Sequence, residues 1–124
     1  MVFLPNNSLI FVDVTTEHER HITAVAGSVV IFNCTLDVDC FTGGVLWERY
    51  EPSSNRREIW YNGQNINPEF QSSGASLAND TTHGWSALTI SRIRLRDRGR
   101  FKCYVAGSGR KCQMSFQLTV AGEI

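Results

Sequence analysis

The sequence predicts an all-β fold, a two-layer sandwich or a barrel, on three observations. Short alternating apolar runs bounded by Gly, Asn, Ser and Pro recur along the chain, and no long window carries apolar residues at helical three-and-four spacing. Four cysteines, Cys34, Cys40, Cys103 and Cys112, are scattered without a C-x-x-C pair. The 124 residues suffice for one core and not two. With 42% hydrophobic and 19% charged residues, the chain lies near the average for folded domains and away from apolar-poor, disordered compositions.

Residues 1–8 read as an N-terminal extension, 9–121 as the domain and 122–124 as a tail. Leu9 to Val14 is the first expected strand. In Ser28 to Leu36, Val30, Phe32 and Cys34 point one way and Ile31 and Asn33 the other, because successive strand side chains alternate. The Cys34 side is the core face. Val45 to Tyr50 sets Val45 and Trp47 against Leu46, Glu48 and Tyr50, and forms a hairpin with Glu58 to Tyr61, which ends at the Asn62-Gly63 turn signal. A polar stretch from Ser72 to Gly84 precedes a strand from Trp85 to Ile93, in which Leu88 and Ile90 share a face. Arg96 to Gly99 is a tight corner. Phe101, Cys103 and Val105 then share one side, and Met114, Phe116, Leu118 and Val120 alternate with Gln113, Ser115, Gln117 and Thr119 in a half-buried final strand. About nine short strands are expected in all.

A formal net charge of zero gives the whole chain no pull towards nucleic acid or an anionic membrane. The even set of cysteines predicts two disulfides and an oxidising compartment. The three histidines are not spaced from the cysteines as zinc ligands, and His18 and His21 face opposite sides of a strand. No activated nucleophile, paired carboxylate or glycine-rich phosphate loop is apparent, so neither an enzyme nor a cofactor is expected. No apolar run approaches the roughly 20 residues of a membrane helix. The expectation is an extracellular ectodomain piece, with its signal and any membrane anchor outside this chain.

The segments Gly27-Ser28-Val29-Val30-Ile31-Phe32-Asn33-Cys34, Trp47, Leu88-Thr89-Ile90 and Asp97-Arg98-Gly99-Arg100-Phe101-Lys102-Cys103 resemble the immunoglobulin superfamily over most of the chain. The resemblance implies a Greek-key sandwich in which Cys34 and Cys103 bridge two sheets with Trp47 packed beside them. Cys103 lies 69 positions after Cys34, which leaves room for the extra hairpin, around Ile59 to Ile66, of variable-set domains. Phe101 stands where the family usually has a tyrosine whose hydroxyl bonds to the corner backbone, a bond worth about 1 kcal/mol, so the corner must hold by packing. Glu69 stands where many variable domains have an arginine that pairs with the corner aspartate, which leaves Asp97 without that partner. Gln113 to Val120 lacks the Phe-Gly-x-Gly bulge of rearranged antigen receptors, and a germline-encoded receptor fits better. The resemblance also brings Cys40, before the Trp47 strand, near Cys112, at the start of the last strand. Closing the short added loop is worth roughly 3 kcal/mol, and the bridge serves as a staple, as a pre-organised binding rim, or as both.

The outer face of the Cys103 sheet, the GFCC′ sheet of the family, is expected to carry Leu46, Glu48, Tyr50, Lys102, Tyr104, Gln113 and Gln117. The hairpin adds Trp60 or Tyr61, and the rim adds Arg110 and Lys111. Exposed aromatics among mixed charges make a partner-binding face. Ile59-Trp60-Tyr61-Asn62-Gly63 is similar to the same segment of junctional-adhesion and coxsackievirus-receptor-like molecules, which pair through this sheet; alternatively, one of the two rings is core. Arg92, Arg94 and Arg96, continued by Arg98 and Arg100, recur with period two as a candidate polyanion ridge, or as a solvated strand face leading into a turn. Asn6, Asn33 and Asn79 begin N-glycan acceptor triplets, and Asn33 is expected to point outward, away from the binding sheet. The expected function is recognition or adhesion at a cell surface, with a protein ligand or a second copy as partner. The alternatives are a secreted or virus-encoded decoy for a soluble ligand, and a glycan- or polyanion-binding domain using the arginines.

Overall fold

The computed structural model describes residues 19–41, 44–107 and 112–122, together with the backbone of 2–3 and 9–15. Among these residues the strands are β1 (Val2–Phe3), β2 (Leu9–Thr15), β3 (Glu19–Val25), β4 (Val30–Thr35), β5 (Val45–Tyr50), β6 (Arg57–Tyr61), β7 (Ala75–Asp80), β8 (Trp85–Ile90), β9 (Gly99–Val105) and β10 (Gln113–Ala121). Short 3-10 turns cover Val38–Cys40, Pro68–Ser73 and Leu95–Asp97. The strands form two sheets, β1-β2-β3-β10-β9-β5-β6 and β4-β8-β7. The described neighbours pair antiparallel except β3 and β10, which run parallel.

The alternation legible in β4 and β10 is what buries their inner faces. Val30, Phe32 and Cys34 are buried while Ile31, Asn33 and Thr35 are exposed, and Met114, Phe116, Leu118 and Val120 all face inward. Phe32 stacks on Phe101 at 4.6 Å between ring centroids, and the edge of Trp60 meets Phe101 at 5.1 Å. Packing of this kind, about 1.5–3 kcal/mol for each large apolar side chain, holds the corner where Phe101 has no hydroxyl. The Trp47 indole N–H, fully buried, donates to Ser86 Oγ at 2.9 Å, so its burial leaves no polar group unpaired. Cys34 and Cys103 bridge the two sheets, with Cα atoms 6.4 Å apart.

Three elements depart from the reading of the sequence. The expected first strand is present as β2, but it pairs with β3, and β3 takes the place beside β10. Within the expected polar stretch from Ser72 to Gly84 lies a strand, β7, laddered to β8 from Ala75 to Asp80. The expected strand to Ile93 stops at Ile90, because Ser91 and Arg92 donate their N–H groups back to Gly74 and Ser73.

Candidate functional site

Side chains directly opposite across a ladder lie on the same face, so the strand register builds the outer surface of the large sheet as a grid. One row is Gln113, Tyr104 and Leu46. The next is Ser115, Lys102, Glu48 and Ile59, and the third is Gln117, Arg100, Tyr50 and Arg57. The expected residues Leu46, Glu48, Tyr50, Lys102, Tyr104, Gln113 and Gln117 all belong to it.

Glu48 is the exception to the expected exposure. It is only 2% exposed although it lies on the outer face, because the neighbouring side chains fold over it. Tyr50 donates its hydroxyl to Glu48 Oε2 at 2.9 Å, Tyr104 donates to Oε1, and Arg57 donates to the same carboxylate. Arg57 also reaches the Tyr104 hydroxyl at 3.2 Å while its side chain stays 54% exposed. Burial alone raises the Glu48 carboxyl, but the hydrogen bonds from Tyr104, Arg57 and Tyr50 outweigh it and hold the group below its ordinary value. Burial, and then the hydrogen bond to Glu48, raises both phenols. Lys102 Nζ lies 4.8 Å from the Tyr104 ring centroid, within cation-π range. Arg100 donates to Ser115 Oγ at 3.3 Å. Two tyrosine rings are therefore locked in place under a surface that is cationic on balance, with Arg57, Arg100 and Lys102 set against one buried carboxylate.

Trp60, expected as a possible surface ring, is corrected to the core, 1% exposed. The pairing of β5 with β6 shifts between Trp47 and Glu48, so Trp60 is the extra residue of a bulge and turns inward. There it stacks on Phe70 at 4.1 Å, with 1° between the ring planes. Tyr61 is half-buried against the same core. The arginine ridge is also corrected as a strand face, because residues 91–97 are not a strand. Arg92 and Arg94 instead donate together to the Ser72 carbonyl, at 3.2 and 3.0 Å, and Arg96 sits in the 3-10 turn. Asn33 and Asn79 are exposed on strands of the smaller sheet. Asn6, Arg110 and Lys111, like His18, lie outside the described residues.

Cys40 and Cys112 are joined, with Cα atoms 5.4 Å apart. The bridge ties the turn at Val38–Cys40 to the residue just before β10, next to Gln113 of the grid. A structural residue missed in the sequence is Arg49. Its inward parity in β5, with Val45 and Trp47, is a signal that it needs buried partners. It donates Nε to the Asp97 and Arg98 carbonyls at 3.2 and 2.9 Å, and Nη1 to Glu58 at 2.6 Å. Arg49 thus clamps the corner from β5, while Asp97 Oδ2 accepts the Arg94 N–H at 2.8 Å.

Two facing sheets joined by Cys34–Cys103, the tryptophan packed inside and the additional β6 hairpin give the chain an immunoglobulin-like sandwich fold of the variable type. The sequence matches no protein-family model and no curated protein. Among solved structures, the second Ig domain of the mouse polymeric immunoglobulin receptor is similar, with a TM-score of 0.65 over 86% of this chain and 98% of that one at 16% identity. The first Ig domain of the same mouse receptor has a TM-score of 0.64 over 93% of this chain and 97% of that one, at 18% identity. At these identities the likeness is one of fold.

Proposed function

We propose that this chain is an extracellular recognition domain that binds a protein partner through the outer face of its large sheet. The observation that carries the reading is the rigid cluster of Tyr50, Tyr104 and Arg57 around buried Glu48. Tyrosine and arginine are the side chains on which interface energy concentrates, and holding them in place before binding reduces the entropy lost on association. Two disulfides fit an oxidising, extracellular setting. The similar folds come from a receptor whose name states that it receives polymeric immunoglobulin, which supports a receptor-type role here.

The charge of the face favours a different protein over a second copy. Self-pairing about a twofold axis would bring Arg57, Arg100 and Lys102 of each copy into one interface, where like charges oppose association. The partner surface that fits has an apolar or aromatic centre for Leu46, Tyr50 and Tyr104, and carboxylates opposite the cations. Staining of a panel of cell types with fluorescent multimers of the domain tests this. Staining should disappear on protease treatment of the cells and with Tyr104→Ala or Arg57→Glu, and survive Arg92→Glu with Arg94→Glu. Staining lost only with the Arg92 and Arg94 changes would overturn the reading in favour of polyanion binding.

A further inference from the structure

The outer face of the smaller sheet poses a separate question, because it is small, flat and partly apolar. Strand register places Ile31, Thr89 and Ser76 in one row, Asn33, Ala87 and Ala78 in the next, and Thr35, Trp85 and Asp80 in the third. Alanines and short hydroxyl side chains leave a shallow floor. Two large apolar side chains rise at opposite ends of this face, Ile31 on the edge strand β4 at 39% and Trp85 on the central strand β8 at 36% exposed. Asn33 lies between them, exposed, and begins the acceptor triplet Asn33-Cys34-Thr35. Trp85 is its diagonal neighbour across the ladder to β8, a spacing of roughly 7–8 Å that an indole spans.

We propose that Asn33 carries an N-linked oligosaccharide whose first sugars lie over Ala87 and Ala78 and stack on Trp85. In the attachment step the Asn33 side-chain nitrogen attacks the anomeric carbon of a lipid-pyrophosphate-linked oligosaccharide. A C–N bond forms, the C–O bond to the pyrophosphate breaks, the amide nitrogen loses one proton, and the lipid pyrophosphate leaves. No electron is transferred to or from an outside agent. The apolar C–H face of a pyranose packs on an indole as other apolar surface does, and the alanine floor leaves room for the ring. The glycan is then a covering layer of the sandwich rather than a surface decoration. Asn79 serves as the internal comparison: on β7 it pairs with the fully buried Ser86, out of register with the row of Ala78 and Ala87 and the row of Trp85, and has no such platform.

The domain secreted from animal cells provides the test. Peptide mapping after enzymatic release of N-glycans in heavy-oxygen water should show Asn33 converted to labelled aspartate. Thermal unfolding of the glycosylated protein, its Asn33→Gln variant, Trp85→Ser, and the double variant then forms a cycle. Loss of the glycan should lower the midpoint in the parent and leave it unchanged in the Trp85→Ser background. Asn33 found unmodified, or an equal shift in both backgrounds, would overturn the proposal. Thr35→Ala also removes the acceptor triplet while keeping Asn33, and should reproduce the effect of Asn33→Gln.

Discussion

Arg49 and Glu48 are adjacent, point to opposite faces of β5, and are both almost fully buried, yet each is stabilised differently. Arg49 is held by backbone carbonyls of the corner and by Glu58, so removing its guanidinium strands several acceptors and a carboxylate. Arg49→Met should cost about 3 kcal/mol or more in denaturant unfolding, the usual scale for removing one member of a buried pair. Glu48 acts through pH. Its folded carboxyl lies below its ordinary 4.5, so its contribution to stability is present above 4.5 and is lost as pH falls through the folded value. Glu48→Gln should therefore flatten the loss of stability below pH 4.5 in acid titrations followed by circular dichroism. Asp97 has the opposite sign: burial raises it above 3.8, so its ionised form costs stability at neutral pH. Asp97→Asn should remove the part of the pH dependence that lies above 3.8 and favours the folded state as pH falls.

At the scale of elements, legibility followed the strength of alternation. β4, β9 and β10 carry period-two patterns with large apolar residues, β5 carries one in Val45 and Trp47 that Arg49 interrupts, and all four lie where the sequence places them. β7 reads Ala-Ser-Leu-Ala-Asn-Asp, a polar edge strand formed by its ladder to β8 rather than by its own burial, and composition alone resembles a loop. β3 opens with Glu19-Arg20-His21, which hides the inward Ile22 and Ala24 that follow. Gly99 begins β9 with φ 134°, and a β-carbon there would lie 2.6 Å from the Tyr50 carbonyl oxygen. Gly99→Ala should destabilise the domain by more than 1 kcal/mol, as about 1–3 kcal/mol of backbone strain is added to that clash. Replacing Cys40 and Cys112 together by alanine should cost roughly 3 kcal/mol and leave the fold intact, because the Cys34–Cys103 bridge remains.

For the whole molecule, the sheet that carries the candidate site was legible and the burial within it was not. Parity placed Glu48, Tyr50, Lys102 and Tyr104 together, but only the assembled geometry shows Glu48 covered by its neighbours. Trp60 could not be assigned from alternation, because a bulge breaks the register at that point. Sedimentation equilibrium across a concentration series should find a monomer throughout, as the cationic outer face predicts; a dimer dissolved by Tyr104→Ala would establish self-pairing. Among the described strands the one parallel ladder joins Glu19–Val25 to Ser115–Ala121, the third strand of the chain to the last. Tension applied at Glu19 and Ala121 pulls the two strands along their lengths in opposite directions, loading the ladder in shear, so its bonds resist together rather than unzipping in turn. Once that ladder has slipped, the two disulfides act as covalent stops against further extension. The lifetime of the domain under such a load is set by how fast that ladder slips.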